Sequence, residues 1–365
     1  MTICFFKFPL EDSLGGAEFH TLKLARHFAA LGRDVKLFTS DQKLFRLFEK
    51  NNLPRQRIII GPEPVSRAAL CRWPITYLRA CFAFKKILKT VPPGSVFLFQ
   101  SLTEKIILTS MALRKGIKVF WLEHKVPGRW LRANPLLGNY RRLAREVQII
   151  TVSNFAKERF LQLGAKNNRI DVVYPGINIP PSQSSRPGKG PFTIGILSRL
   201  DPEKGIFNFL QILVSVLQKH RDWKVLVAGS GKELEKIVGL IKTGGLEDRI
   251  KMIGFLKDKT DFFSRISVLV YPSRVAESFG VAALEAQGHG VPVIATKLGA
   301  LVEIIKHGET GLLVEPDNPE QWGQSLERLE FDREFAAAVS ENGRLASLNF
   351  SEGGMFRAFD HLIQV

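Results

Sequence analysis

Along the first half of the chain, short apolar, β-branched runs alternate with stretches whose apolar positions recur every three to four residues. The runs fall near 3–6, 35–39, 57–60, 96–99, 118–122 and 147–152. This alternation predicts a parallel sheet with helices on both faces, because strands covered on two sides read as continuous apolar runs and crossover helices carry one apolar stripe. After the first run a polar loop ends in Gly15-Gly16-Ala17-Glu18, and a helical pattern then continues to Ala30 and stops at Gly32. The pattern breaks at 181–191, PSQSSRPGKGP, whose composition is that of a linker. Beyond it the alternation restarts, with strands expected near 192–198, 224–228, 250–253, 267–271, 291–295 and 311–314. The chain thus divides into a domain at 1–182, a linker at 183–191, a second α/β domain at 192–350 and a tail, 351–365, with a helix from about Glu352 to Ile363.

At 365 residues both domains can bury their own cores. No apolar run reaches about 18 residues, and the N-terminus lacks a basic region, apolar core and cleavage site in series, so a cytoplasmic protein, neither exported nor membrane-spanning, is expected. Cys4, Cys71 and Cys81 show no metal-ligand spacing, and so few cysteines indicate a reducing compartment.

The net charge of +17 is unevenly placed: residues 1–187 hold 31 Lys+Arg against 12 Asp+Glu, and residues 188–365 hold 21 against 23. The first domain therefore presents a surface suited to a polyanion. Two acid-free stretches, Pro64–Thr103 and His124–Arg145, carry six Lys or Arg each, interleaved with Trp73, Tyr77, Phe82 and Phe84 in one and Trp130 and Tyr140 in the other. Such segments either lie in the headgroup region of an anionic membrane or are solvated helix faces whose aromatics point into the core. Nucleic acid ranks below the membrane, since no RNA-binding signature, basic zipper or zinc-finger spacing accompanies the charge.

The candidate chemistry concentrates in the second domain. In PSRVAESFGVAALE, residues 272–285, Glu277 and Glu285 stand eight positions apart across an expected loop-to-helix junction. With Ser278 as cap and Phe279 as the first helical residue, they would lie roughly 12 Å apart along the axis. That separation suits a nucleotide sugar, one carboxylate meeting a hexose and the other the ribose hydroxyls, with the Phe279 and Gly280 amides at the positive helix end. A surface helix with two solvated glutamates has the same spacing. Arg199 and Lys204, in RLDPEKG, emerge where a strand ends and a helix starts, and two cations there can neutralise a diphosphate. Gly254 closes another strand, and Phe255 beside it could border a flat base. AGSGK at 228–232 has neither P-loop nor dinucleotide spacing. The amides of 299–301 are further candidates for phosphate oxygens, and His124 follows a strand at an expected carboxyl edge.

Taken together these residues resemble the retaining glycosyltransferases of family 4, whose GT-B architecture sets two Rossmann-like domains with parallel sheets facing an interdomain cleft. The resemblance runs in order through GGAE at 15–18, VSNFAKE at 152–158, VVYPGIN at 172–178, LSRLDPEKG at 197–205, PSRVAESFGVAALE at 272–285 and GVPVIATKLGALVEII at 290–305. It implies that Glu285 grips the ribose, that Glu277 contacts the transferred sugar beside Ser278 and the backbone of Phe279 and Gly280, and that Arg199 and Lys204 bind the diphosphate. Gly15 and Gly16 match a loop that closes over the phosphates, and His124 resembles a sugar-contacting histidine. The tail helix is expected to cross back onto the first domain. Many relatives carry glycine where this chain has Ala300, so contacts to the sugar or distal phosphate are expected to shift there.

The implied activity is that of a retaining hexosyltransferase taking sugar from a nucleoside diphosphate sugar, UDP before GDP. The implied acceptor is a hydroxyl of a glycan or a lipid-linked acceptor in lipopolysaccharide or other cell-surface polysaccharide synthesis, at the inner face of the cytoplasmic membrane. Same-face attack and a covalent intermediate on Glu277 both remain open. No Asp-x-Asp occurs and Arg199 with Lys204 supplies positive charge, so no obligatory metal is expected. A sugar-nucleotide epimerase of the same architecture and a non-catalytic sugar-nucleotide-binding protein are the alternatives.

Overall fold

The computed structural model describes residues 1–9, 12, 14–180 and 190–364. The expected linker lies, up to residue 189, outside the described residues. Two compact units are formed, Met1–Tyr174 with Phe356–Val365, and Pro175–Met355.

The first unit is built on β1 (Thr2–Lys7), β2 (Asp34–Thr39), β3 (Arg55–Arg57), β4 (Val96–Phe99), β5 (Lys118–Glu123), β6 (Gln148–Thr151) and β7 (Ile170–Val172). They form one parallel sheet in the order β3-β2-β1-β4-β5-β6-β7. Phe6, one residue before the end of β1, pairs in register with Phe38 and Phe99, and its ring stacks on Phe38 at 4.9 Å. This apolar interior explains why β1, β2, β4 and β5 stand out in the sequence. The third strand departs from expectation. It is Arg55–Arg57 rather than the apolar run 57–60, because the edge position leaves it polar and the following Ile60 leaves the ladder to enter the core. Strand β7 was not anticipated, being three residues at the opposite edge.

The helix Gly16–Ala30 follows β1, ends in Leu31, and is followed by Gly32 at φ 71°. The last helix, Glu352–Ile363, buries Met355, Phe359 and Ile363, spaced four apart on one face. In the first unit Phe356 stacks on His27 at 4.2 Å and Asp360 bonds the same ring at 2.7 Å.

The second unit comprises β8 (Thr193–Leu197), β9 (Lys224–Ala228), β10 (Ile250–Gly254), β11 (Val268–Tyr271), β12 (Val293–Thr296) and β13 (Leu312–Val314), parallel in the order β10-β9-β8-β11-β12-β13. Trp223 and Trp322 fill its core beside Phe192, Phe209 and Leu213. Both sheets reverse direction once, beside their first strand, and the carboxyl ends at that reversal are where open α/β sheets gather ligands. In the second unit that place lies between β8 and β11.

Candidate active site

Strand β8 ends at Leu197 and leads through Arg199 to a tight turn, Pro202–Lys204, closed by Gly205 at φ 67°. A Cβ on Gly205 would come within 2.2 Å of the Pro272 carbonyl oxygen, so only glycine lets this turn lie against the loop leaving β11. The two loops are joined, since the Arg274 amide donates to the Glu203 carbonyl at 3.0 Å. The RLDPEKG and PSRVAESFG segments, remote in sequence, thus form one surface at the switch point of the second sheet.

Glu277 occupies that surface. Its Oε1 accepts from Lys204 Nζ at 2.7 Å and from Ser273 Oγ at 2.7 Å, and it also bonds the phenol of Tyr271. Burial, and then the Glu277 charge, hold the Tyr271 hydroxyl well above its usual range, so it stays protonated as a donor. The Glu277 backbone is fixed as well, since its carbonyl accepts from the Ala300 amide at 2.9 Å and it bridges to Gly299. Gly299, at φ 61°, would with a Cβ strike the Glu277 carbonyl oxygen at 2.4 Å. The Ala300 and Leu301 amides therefore bond carbonyls of the chain itself, contrary to a phosphate-binding role, and the Ala300 methyl is buried.

The helix carrying Glu285 begins later than the sequence suggests. It is Val281–Gly288, capped by Gly280 at φ 106° and ψ 49°. Ser278 is not its cap, and Phe279, buried against Phe350 at 5.8 Å, precedes it. The reason lies in Gly280, whose left-handed backbone ends the loop against Leu301; a Cβ there would meet that side chain at 2.7 Å. The eight-residue helical ruler between the carboxylates therefore does not apply, because Glu277 sits in the loop and only Glu285 in the helix. Glu285 is gripped by Lys259 Nζ at 2.8 and 2.6 Å, which ties the helix to the loop leaving β10. Strand β10 ends in Gly254 at φ 71°, and the loop opens with Phe255, 59% exposed.

Arg199 is half exposed and bonded to Asp201 and to Glu203, the latter at 2.6 Å. Both acids lie in its own loop.

The remaining predicted residues belong to the first unit. Gly15 caps the helix Gly16–Ala30, and its amide donates to Glu18 Oε2 at 2.8 Å, while Glu18 Oε1 meets Lys7 at the end of β1. The Gly15 amide is thus engaged within the turn, and Gly16 is the first helical residue, with open space where a Cβ would stand. His124, immediately after β5, shares a hydrogen bond with His20, Nε2 to Nδ1 at 2.8 Å. Burial, then the neighbouring His20 and the cations Lys7, Lys105 and Lys125, hold His124 well below its usual 6.5, and burial pushes His20 down to about 3. Both rings are neutral at pH 7, so one donates and the other accepts.

The structure gathers Arg199, Lys204, Glu277, Ser278, Phe279 and Gly280 in the joined loops of the second unit, with Glu285 on the helix that follows them. Lys259, Ser273, Tyr271 and His20 complete these contacts and were missed. Lys259 and His20 reach their partners through the fold, 26 and 104 positions away, whereas Ser273 and Tyr271 stand four and six residues before Glu277 and could have been read as its neighbours.

Two family models match the chain, Glycosyltransferase Family 4 over residues 14–179 and Glycosyl transferases group 1 over residues 181–346. The chain belongs to glycosyltransferase family 4. An uncharacterized glycosyltransferase of Haemophilus influenzae is 23% identical over 352 residues, 93% of each chain. The lipopolysaccharide core biosynthesis mannosyltransferase LpsB of Rhizobium meliloti is 32% identical over 157 residues, 41% of this chain and 44% of that protein. The chain spans 19% and 54% of the length of the first two curated relatives it matches. Among solved structures, Anabaena Alr3699/HepE in complex with UDP superposes with a TM-score of 0.82 at 20% identity, covering 100% of both chains. Its fold is GT-B, and the family 4 protein described here has that fold.

Proposed function

We propose that the protein is a retaining hexosyltransferase that moves a sugar from a nucleoside diphosphate sugar, UDP before GDP, to a hydroxyl of a glycan or lipid-linked acceptor. The surface polysaccharides of the cell, lipopolysaccharide among them, are the proposed destination. The observation that carries this reading is the joining of the Arg199–Gly205 and Pro272–Gly280 loops at the switch point of the second sheet, with Glu285 on the next helix. A lipopolysaccharide mannosyltransferase among the relatives and a UDP-bound neighbour of the same fold support the substrate class.

In this reading Glu285 exchanges part of its contact with Lys259 for the ribose hydroxyls, and Phe255 borders the base. Lys204 has three ammonium donors, so it can keep Glu277 and also take a phosphate oxygen as negative charge grows on the departing diphosphate. Arg199 assists from the same loop once the diphosphate competes with Asp201 and Glu203. Glu277 accepts from Lys204, Ser273 and Tyr271, and so many donors stabilise the carboxylate charge and blunt it as a nucleophile. That favours a positioning role toward the sugar and same-face attack, with the donor phosphate taking the acceptor's proton. In the first unit, His124 is assigned to a sugar hydroxyl and the Gly15–Gly16 turn to the phosphates. No metal is required. The excess of Lys and Arg in the first unit supports a peripheral location on the anionic inner face of the cytoplasmic membrane as part of this proposal.

Calorimetric titration with UDP, GDP, ADP and CDP and their sugars tests the donor site. One base series is expected to bind selectively, and Glu285→Ala to weaken it at least tenfold, about 1.4 kcal/mol. No binding, or no effect of the substitution, overturns the donor assignment. Product analysis separates the alternatives, since an epimerase releases an altered nucleotide sugar without acceptor and a non-catalytic binder releases nothing.

A further inference from the structure

The helix Trp73–Thr90 divides its residues sharply between two faces. Thr76, Ala80, Phe84 and Ile87 are buried and hold it on the first unit's core. On the opposite face Ile75, Leu78 and Phe82 are 57%, 69% and 64% exposed. At 100° per residue these three fall within about 60° of arc, and Arg79, Lys85, Lys86 and Lys89 lie within about 70° of the centre of that arc. All four cations are exposed, and none has an ion-pair partner among the described residues. Lys86 Nζ sits 4.5 Å from the centre of the Phe82 ring, so charge and aromatic face are presented together. No acidic residue occurs between Pro64 and Thr103.

Three large apolar side chains in one exposed stripe call for a partner, since a solvated helix face would carry polar residues there. The stripe is rimmed by cations of one sign. A second copy of this chain would set the cations against one another, and the uniformly positive rim is complementary to a negatively charged, apolar-cored surface. We infer that the Ile75–Leu78–Phe82 face of this helix docks on an anionic lipid bilayer, with the three side chains entering the acyl boundary and Arg79, Lys85, Lys86 and Lys89 among the headgroups. This rests on the proposed membrane location and names the surface that provides it.

In the second basic stretch some side chains are already engaged within the first unit. Tyr140 is buried, Arg141 Nε donates to the Leu163 carbonyl at 2.8 Å, and Arg142 pairs with Glu146 at 3.1 Å.

The test is co-sedimentation of the full chain with vesicles of phosphatidylglycerol mixed with phosphatidylcholine, and with phosphatidylcholine alone. The wild type is expected to bind the first and not the second, and to release as salt rises. Combined Ile75→Ser, Leu78→Ser and Phe82→Ser substitution is expected to weaken binding about tenfold or more, and neutralising the four cations to Gln roughly a hundredfold. Nucleotide binding and melting temperature should stay at wild-type values for both. If the wild type binds but both variants bind equally well, this face is wrong while the membrane location survives. If the wild type ignores anionic vesicles, both fail, and the donor assignment is judged separately by calorimetry. Equal binding to phosphatidylcholine alone, or self-association of the wild type that the apolar variant abolishes, also overturns the proposal.

Discussion

The two sheets share one strand order through their first six strands, yet they treat the charges at their carboxyl edges differently. In the first unit the ion pairs are sealed: Lys7–Glu18 and Lys105–Glu123 have side chains no more than 9% exposed. In the second they are graded: Lys204 and Glu277 are 14% and 12% exposed, Lys259 and Glu285 35% and 20%, and Arg199 52%. A sealed pair cannot lose a partner without stranding a charge away from water, whereas an open one exchanges its partner for water or ligand at little cost. The first edge is accordingly a rigid frame, and the second surrounds its Lys204–Glu277 pair with held but replaceable contacts, which suits the donor site proposed above.

The largest effect expected from breaking this contrast is at Glu123. Its carboxylate bonds Lys105 Nζ at 2.7 Å and accepts from the Tyr140 hydroxyl at 3.3 Å, both inside the first unit. Glu123→Ala leaves a buried ammonium whose described partner is the Gln100 carbonyl at 3.1 Å, and a buried phenol without its acceptor. A loss of about 3–5 kcal/mol is expected, read as a fall of roughly 10 °C in the melting temperature of the first unit. A fall of only a degree or two would mean that this edge is no more rigid than the other.

A second effect, smaller per pH unit, depends on pH. Burial pushes the Glu104 carboxyl from its ordinary 4.5 up to about 8, while its side chain accepts from the Ser101 and Gln100 amides at 2.5 and 3.0 Å. Between those two values the folded protein keeps the proton that the unfolded chain has released, so the unfolded state binds fewer protons and stability falls as pH rises. The contribution is complete below about 4.5 and lost on passing about 8, with a slope of at most about 1.4 kcal/mol per pH unit. Glu104→Gln keeps an acceptor for the two amides and cannot ionise. Urea unfolding across this window is expected to show the slope in the wild type and its loss in the variant; parallel curves would place the titration elsewhere.

What the sequence reveals follows the same division between local and long-range causes. Central strands such as β1 and β11 are visible because both faces are covered, so every residue of TICFFK and VLVY is buried. The edge strands β3 and β7 are short and carry polar residues, which removes that signal. The motif residues Arg199, Lys204, Glu277 and Glu285 are visible because the loops holding them are continuous in sequence. The start of the Glu285 helix is misread because Ser278 looks like a cap, while the actual cap, Gly280, is dictated by Leu301 twenty-one positions on. The partners Lys259 and His20 are set by the way strands bring loops together, and hydrophobic periodicity carries no information about that.

The smallest expected effect closes the comparison from the other side. Lys259 holds both oxygens of Glu285, the same kind of contact that Lys105 makes with Glu123, but water reaches both partners. Lys259→Met keeps the aliphatic stem and removes the charge, leaving a carboxylate that solvent can take over. Chemical denaturation is expected to show a change within about 1 kcal/mol. A loss approaching that of Glu123→Ala would mean that Glu285 is locked by its lysine as firmly as the frame of the first unit. It could then not turn part of its hydrogen bonding to a ribose, and the second edge would have to be regarded as structural too.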